Sequence, residues 1–178
     1  MTDTNAELAQ AFLAFSRNRL IDRQWPRMKA CVEPLTLEQL WWRPNEASNS
    51  IGNLLLHLNG NVKQWLVDSF ERNEDKRDRP AEFSAEGGLT AVELLARLGA
   101  TIEKAANVLD RLTTEELLAP YEIQGYKVCG LDAVYQVVEH FGMHYGQVAY
   151  ITKSLLNKDL GFYRDLTKTG RTSQGGSV

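Results

Sequence analysis

The sequence predicts an all-α domain, and three observations carry that prediction. Four long stretches repeat apolar residues at i, i+3, i+4 and i+7, the period of an amphipathic helix. Strand-like alternation is confined to one short segment. Two capping boxes, Thr36-Leu37-Glu38-Gln39 and Thr90-Ala91-Val92-Glu93, mark helix starts ahead of apolar runs. At 178 residues the chain is long enough for one domain with one core.

The first helix is expected from about Asn5 to about Val32, with Leu8, Phe12, Phe15, Leu20 and Met28 among its apolar positions. Pro26 has no N–H and its ring crowds the preceding turn, so a kink or a break into two shorter helices is expected there. The Thr36 capping box opens a short helix ending near Trp42, closed by Arg43-Pro44-Asn45. The second long helix starts at Ser48 or Ser50 and carries Leu54, Leu55, Leu58, Val62, Trp65 and Leu66 to about Arg72. From Glu71 to Gly88 the chain is charged, with Asp75-Lys76-Arg77-Asp78-Arg79-Pro80, and reads as a solvated loop. Neighbouring antiparallel helices need only about 2–8 residues between them, so a connection this long suits a crossover between parallel helices.

The third helix runs from the Thr90 box through Leu94, Leu95, Leu98, Ile102, Ala105 and Leu109 to Leu112. Tyr121 to Val128 is the strand-like stretch, expected as a small extended turn. The fourth helix begins at about Leu131 or Asp132 and continues to about Asn157. Beyond Asp165 the sequence is polar and Gly/Ser-rich. A single domain over 1–166 and a disordered tail over 167–178 are expected.

Composition excludes several classes of function. With 20 Lys+Arg against 23 Asp+Glu the net charge is −3, both signs are scattered, and there is no basic footprint for nucleic acid. No apolar run approaches the roughly 18 residues of a membrane span. The segment Met1-Thr2-Asp3-Thr4-Asn5-Ala6-Glu7 has neither the basic nor the apolar part of a secretory signal. Cys31 and Cys129 form no CxxC and no disulfide framework, so a cytoplasmic location is expected.

The chemistry rests on the 3 histidines. His140 and His144 are spaced i, i+4, which puts them on one helix face with Cβ atoms about 5–6 Å apart. Two imidazoles so placed can converge on one ion at bonds of about 2.0–2.1 Å. His57 lies among Leu54-Leu55-Leu56 and Leu58 on the second helix. A lone histidine among leucines is more often a hydrogen-bonded core residue, and an i, i+4 pair also arises by chance on a surface. Three together change the balance, because none decorates a loop or terminus, and one shared ion would accommodate three polar rings in an apolar interior. Antiparallel packing brings His57 and the pair to similar heights along the two helices.

Three histidines leave coordination positions for water or substrate, whereas structural zinc sites have four protein ligands. Water or a thiol in such a position loses its proton near neutral pH. Asn61, at i+4 from His57, and Gln147, at i+7 from His140, share the histidine faces and can hydrogen-bond a ligand or remain helix-surface polar residues. No carboxylate at helical spacing from His140 and His144 demands the role of fourth ligand. Gly142 and Gly146 cost about 1 kcal/mol each in a helix interior relative to Ala, and they lie on the side opposite the histidines. Close approach of a neighbouring helix, in the bundle or across a dimer, is the expected reason. Trp41, Trp42 and Trp65 either line a pocket or belong to the core, and Cys129 is read as structural.

These residues carry a family resemblance. Leu40-Trp41-Trp42-Arg43-Pro44, the run Asn49-Ser50-Ile51-Gly52-Asn53-Leu54-Leu55-Leu56-His57-Leu58-Asn59-Gly60-Asn61, and His140-Phe141-Gly142-Met143-His144-Tyr145-Gly146-Gln147 resemble the DinB-like (YfiT-like) superfamily of metal-dependent enzymes. Arg77 to Phe83 and Leu160-Gly161-Phe162-Tyr163 resemble a branch of unassigned function. The resemblance implies a four-helix bundle of up-down-down-up topology whose crossover joins helices 2 and 3. It implies a divalent ion, zinc or nickel, held by His57, His140 and His144. It also implies activities such as S-transfer from a low-molecular-weight thiol or thiol-dependent isomerisation, and a homodimer.

The leading expectation is therefore a metal-dependent thiol S-transferase acting on a small molecule. A hydrolase is the close rival. A non-catalytic, stress-associated metal- or ligand-binding protein is the reading from a different class. Haem ligation fits less well, since an i, i+4 pair suits one small ion.

Overall fold

The computed structural model describes residues 4–164. The tail expected over 167–178 lies outside the described residues. Helix α1 (Thr4–Arg17) runs through a π-helical turn (Asn18–Gln24) into α2 (Trp25–Val32). Pro26 sits in the first turn of α2, and the Trp25 N–H reaches five residues back to the Leu20 carbonyl. The disturbance expected at Pro26 is thus a widened turn through which the helix continues.

Helix α3 (Leu37–Trp41) opens on the Thr36–Gln39 capping box. Ser50 and Asn53 cap α4 (Ile51–Val62) in the same way. A second π turn (Lys63–Asp68) carries α4 into α5 (Ser69–Glu71), which ends where Arg72 turns left-handed at φ 57°. After α6 (Arg79–Ser84) come α7 (Ala91–Arg111), with its Thr90–Glu93 box, and α8 (Thr114–Leu118). The expected extended turn is an antiparallel hairpin, β1 (Pro120–Ile123) and β2 (Tyr126–Cys129), with Tyr121 opposite Val128. Its two turn residues, Gln124 and Gly125, both have positive φ, as a tight hairpin turn requires. The last helix, α9, spans Gly130–Leu156.

Helix α4 packs against α7, α6 and α9, while α2 packs against α9 and α7. Leu55, Leu58 and Leu66 meet Leu98, Ile102 and Val108 of α7 and Val134, Val137 and Phe141 of α9 in one core, each at 2% exposure or less. Trp65 joins that core, Trp42 is exposed, and the apolar Leu8 and Phe15 of α1 also face outward. At the foot of α9, Gly130 lies so close to α8 that a Cβ would stand 2.9 Å from Leu117 Cα. The Trp65 ring lies 6.4 Å from that of Tyr126, in the strand leading into α9. The stretch that starts as α4 therefore ends beside the start of α9, and the two run antiparallel. Among the described residues no helix is long and apolar enough to cross a membrane.

The charged segment corrects the expectation of a solvated loop. Its middle folds into α6, whose first turn holds Pro80 and whose N-cap, Asp78, accepts from the Ala81 N–H at 3.1 Å. The segment and the residue that follows it are tied down by side chains from α3, the α3–α4 connection and α4. Asn53 Nδ2 donates to the carbonyls of Glu82 at 3.0 Å and Ala85 at 2.7 Å, Arg43 donates to Ala85 at 2.9 Å, and Trp41 Nε1 donates to Leu89 at 2.9 Å. Most of its charges stay in water, but Arg77 and Glu82 are folded inward at 5% and 9% side-chain exposure.

Candidate metal centre

His57 reaches the centre from the middle of α4, and His140 and His144 reach it from successive turns of α9. One ligand atom from each lies within 4.8 Å of the others. The Nε2 atoms point at one another, with His140 Nε2 standing 3.2 Å from that of His57 and 3.1 Å from that of His144. Two bonds of about 2.0–2.1 Å at a near-tetrahedral angle span about 3.3 Å between nitrogens, so the spacing fits one small ion.

Hydrogen bonding at the other ring nitrogens decides where the lone pairs point. Glu82 Oε2 is 2.9 Å from His57 Nδ1. Arg77 NH2, which only donates, stands 3.1 Å from the same nitrogen, but the carboxylate, which only accepts, makes the shorter contact and favours a proton on His57 Nδ1 with Nε2 free. Gln147 Oε1, 2.7 Å from His144 Nδ1, does the same for His144. His140 Nδ1 is buried without a partner among the described residues. His57 and His144 therefore turn lone pairs toward His140 Nε2, and a cation among the three rings would accept both together with the lone pair of His140. That donor set fits a divalent ion.

Electrostatics keep the two α9 rings neutral. Burial, then the neighbouring His144, His57, Arg77 and Arg79, pushes the His140 pKa down to about 3. Burial also lowers that of His144, against the opposing pull of the Gln147 hydrogen bond. Burial by itself would raise the Glu82 carboxyl, but hydrogen bonds and charge from Arg77 and His57 outweigh it and hold it below the usual carboxylate range.

Glu82 is clamped in turn by Arg77, whose Nε lies 2.7 Å from Oε1 and whose NH2 lies 2.9 Å from Oε2. This two-pronged pair is the strong geometry for guanidinium and carboxylate. Arg77 also donates to Gln64 Oε1 at 2.9 Å, and Gln64 accepts from Gln124 at the hairpin turn at 2.6 Å. Phe83 lays its ring 4.7 Å from that of His57, and Arg79 stacks over Phe83 at 5.0 Å. Gly60 makes room for the pair, since a Cβ there would meet Glu82 and stand 2.8 Å from Arg77 Nε.

The structure thus brings together the three predicted histidines and seats Gln147 on one of them. Asn61 is buried at 3% exposure with its Oδ1 unpartnered, and it makes no hydrogen bond to the histidines among the described residues. Glu82, Arg77 and Phe83 were missed as functional residues. The available signal was local, Asp78 followed by Pro80 as a helix start, but nothing local says that Glu82 turns inward to His57, 25 residues away. A cleft of about 360 Å³ between the α3–α4 connection and α9, lined by Pro44, Ser48, Asn49 and Tyr150 among others, reaches Gln147 but is not lined by the histidines. The glycine expectation also changes. Gly142 faces the Gln24 side chain, with a Cβ 2.9 Å from Gln24 Nε2, and Gly146 faces open space, so among the described residues no helix backbone of this chain crosses there.

The DinB superfamily model matches residues 20–148, a span that contains all three histidines, Arg77 and Glu82. A DinB-like protein from Bacillus subtilis, solved at 2.30 Å, superposes with a TM-score of 0.63 at 20% identity, over 83% of this chain and 96% of its own. A conserved protein from Enterococcus faecalis superposes with a TM-score of 0.63 at 16% identity, over 89% of this chain and 100% of its own. At these identities the likeness concerns the fold. No curated protein matches the sequence. With the family model spanning well over half its length, the chain belongs to the DinB superfamily.

Proposed function

We propose that this protein is a metal-dependent enzyme of small-molecule chemistry, with His57, His140 and His144 as ligands of one divalent ion, zinc or nickel. The observation that carries the reading is the convergence of three Nε2 atoms, two of them on rings held from behind by Glu82 and Gln147. Three imidazoles suit either metal. The reading includes a four-helix bundle of up-down-down-up order, built from the stretches 4–32 and 51–71 with α7 and α9, acting in the cytoplasm as a homodimer.

With three protein ligands, a divalent ion there would lower the proton affinity of a thiol or water at an open position and polarise an electrophile beside it. Glu82 and Gln147 hold two imidazoles in the tautomer that can ligate. Arg77 keeps Glu82 ionised, and Phe83 shields one face of His57 from water. The reaction class proposed is transfer of a low-molecular-weight thiol to an electrophilic small molecule. The cleft at Gln147 supports access for such a molecule from the α9 side.

The test uses the full chain purified without a histidine tag. Conjugation of a generic electrophile by several low-molecular-weight thiols is followed with and without added zinc or nickel, alongside hydrolysis of activated esters. Metal-dependent conjugation that disappears in His140→Ala is expected. Hydrolysis without conjugation would move the assignment to a hydrolase. Indifference to metal in both assays would contradict an enzyme and leave a metal-binding protein.

A further inference from the structure

The side of α9 turned away from the histidines carries a second concave site. Gly142 and Gly146 each follow a histidine by two positions, about 200° around the helix. They floor a cleft of about 400 Å³ whose far wall is the π turn and the start of α2. That wall presents Arg19, Arg23 and Arg27, and no residue lining the cleft is acidic.

The arginines are left available by the way their surroundings pair. Asp22, which lies between Arg19 and Arg23 in sequence, is taken by Arg17 at 3.2 Å. Arg27 is fixed in place, its guanidinium 5.0 Å from the Tyr163 ring centroid and 5.6 Å from that of Phe162, with NH2 3.4 Å from the Phe162 carbonyl. Neither Arg19 nor Arg23 has an ion pair or hydrogen bond among the described residues. The π turn brings the positions i and i+4 closer to one direction than an α turn does, and such turns recur at functional sites.

A second observation points to a ligand. Gln24 lines the same cleft at 5% exposure, and its Oε1 has no partner among the described residues. A buried acceptor left unpaired is destabilising, so a bound donor would offset that cost. The backbone at Gly142 leaves room for that amide, and the missing side chain at Gly146 leaves the cleft open, with nothing within 4 Å of where a Cβ would stand. Tyr145, whose pKa burial pushes up to about 12, stays a protonated donor at neutral pH.

We propose that this cleft binds a phosphate monoester whose organic part carries a hydroxyl or amino donor. Three guanidinium groups match a group of charge about −1.5 to −2 better than they match a single carboxylate, and their forked donors fit its oxygens. The ester's hydroxyl or amino group meets Gln24 Oε1. The cleft is of the size that takes a small metabolite.

Calorimetric titration of the metal-free full chain tests the site with glycerol 3-phosphate, inorganic phosphate and malate. Saturable binding is expected, tightest for glycerol 3-phosphate and weaker as ionic strength rises. Arg19→Ala combined with Arg23→Ala should weaken it about tenfold or more, and Gly146→Leu, which fills the cleft without touching an arginine, should do the same. His140→Ala should leave it unchanged, which separates this site from the metal centre. Three results would each overturn the proposal: no saturation by any of the three compounds, malate or inorganic phosphate binding as tightly as glycerol 3-phosphate, or affinity unaltered in the double arginine variant.

Discussion

The centre is built from two kinds of structure that fold for different reasons. The α4–α9 pair supplies the histidines, and it stands on apolar burial that follows helical periodicity, with Leu58 and Phe141 fully enclosed beside His57 and His140. The charged segment between α5 and α7 supplies Arg77 and Glu82, and it stands on hydrogen bonds and one buried ion pair, pinned by Asn53, Arg43 and Trp41. Periodic burial is a local property of sequence. A buried charge is tolerable only with its partners, and those come from elsewhere in the chain.

Removing one member of the buried pair should break the charged segment hardest. Glu82→Ala leaves the Arg77 guanidinium buried and unpaired, which should cost about 3–5 kcal/mol in chemical denaturation. It should also weaken metal affinity about 10–100-fold in competition with a chelator, because His57 loses its Nδ1 partner. Combining Arg77→Leu with Glu82→Leu should restore most of the stability while metal affinity stays low. Recovery of both together would mean that the pair only fills space.

Phe141→Ala is the matching insult to the helical side. It should cost about 3–5 kcal/mol by opening a cavity in the core, yet metal affinity measured on the folded fraction should hardly change. Gly60→Val comes next, since its side chain must displace Glu82 and Arg77. It should reproduce the metal-affinity loss of Glu82→Ala with less loss of stability.

The pH response sharpens the same comparison. In the metal-free protein His140 is neutral down to about pH 3, whereas unfolded histidine protonates near pH 6.5. Between those values the unfolded state binds more protons. This contribution is therefore complete above about pH 6.5 and is lost as pH falls toward 3. Glu82, held below its unfolded value, acts in the same direction at lower pH, its contribution fading as pH drops through the carboxylate range. Denaturation midpoints of the metal-free protein between pH 7 and pH 4 should fall, and His140→Ala should flatten the upper part of that fall. The smallest effect is expected from the exposed Lys76–Glu74 pair, 3.1 Å apart in the same segment. Its double alanine variant should shift stability by no more than about 0.5 kcal/mol.

Much of the helical side was legible before the structure. Thr36 and Thr90 mark helix starts where the structure has them, Ser50 is the cap of the two candidates Ser48 and Ser50, and the i, i+4 spacing of His140 and His144 already placed two ligand candidates on one face. His57 followed from helix register, because two antiparallel helices impose matching heights. Gln147 was on the right face, and its bond to His144 needed only a rotamer to complete it. Glu82 and Arg77 were not legible, because in sequence they sit among Asp75, Lys76, Asp78 and Arg79, which are exposed. What separates them is the path of that segment, set by Asn53 and the space over Gly60. Pro26 announced a disturbance without its form, since a kink, a break and a π turn all remove the same hydrogen bond.

One metal site formed by His57, His140 and His144 underlies each expected loss of metal affinity. Metal content and affinity of the untagged full chain, measured by plasma mass spectrometry and chelator competition beside His57→Ala, His140→Ala and His144→Ala, test it most directly. One zinc or nickel ion per chain, lost in each of the three variants while their helical circular dichroism persists, is the predicted result. Metal retained in the variants at the level of the parent protein would contradict it.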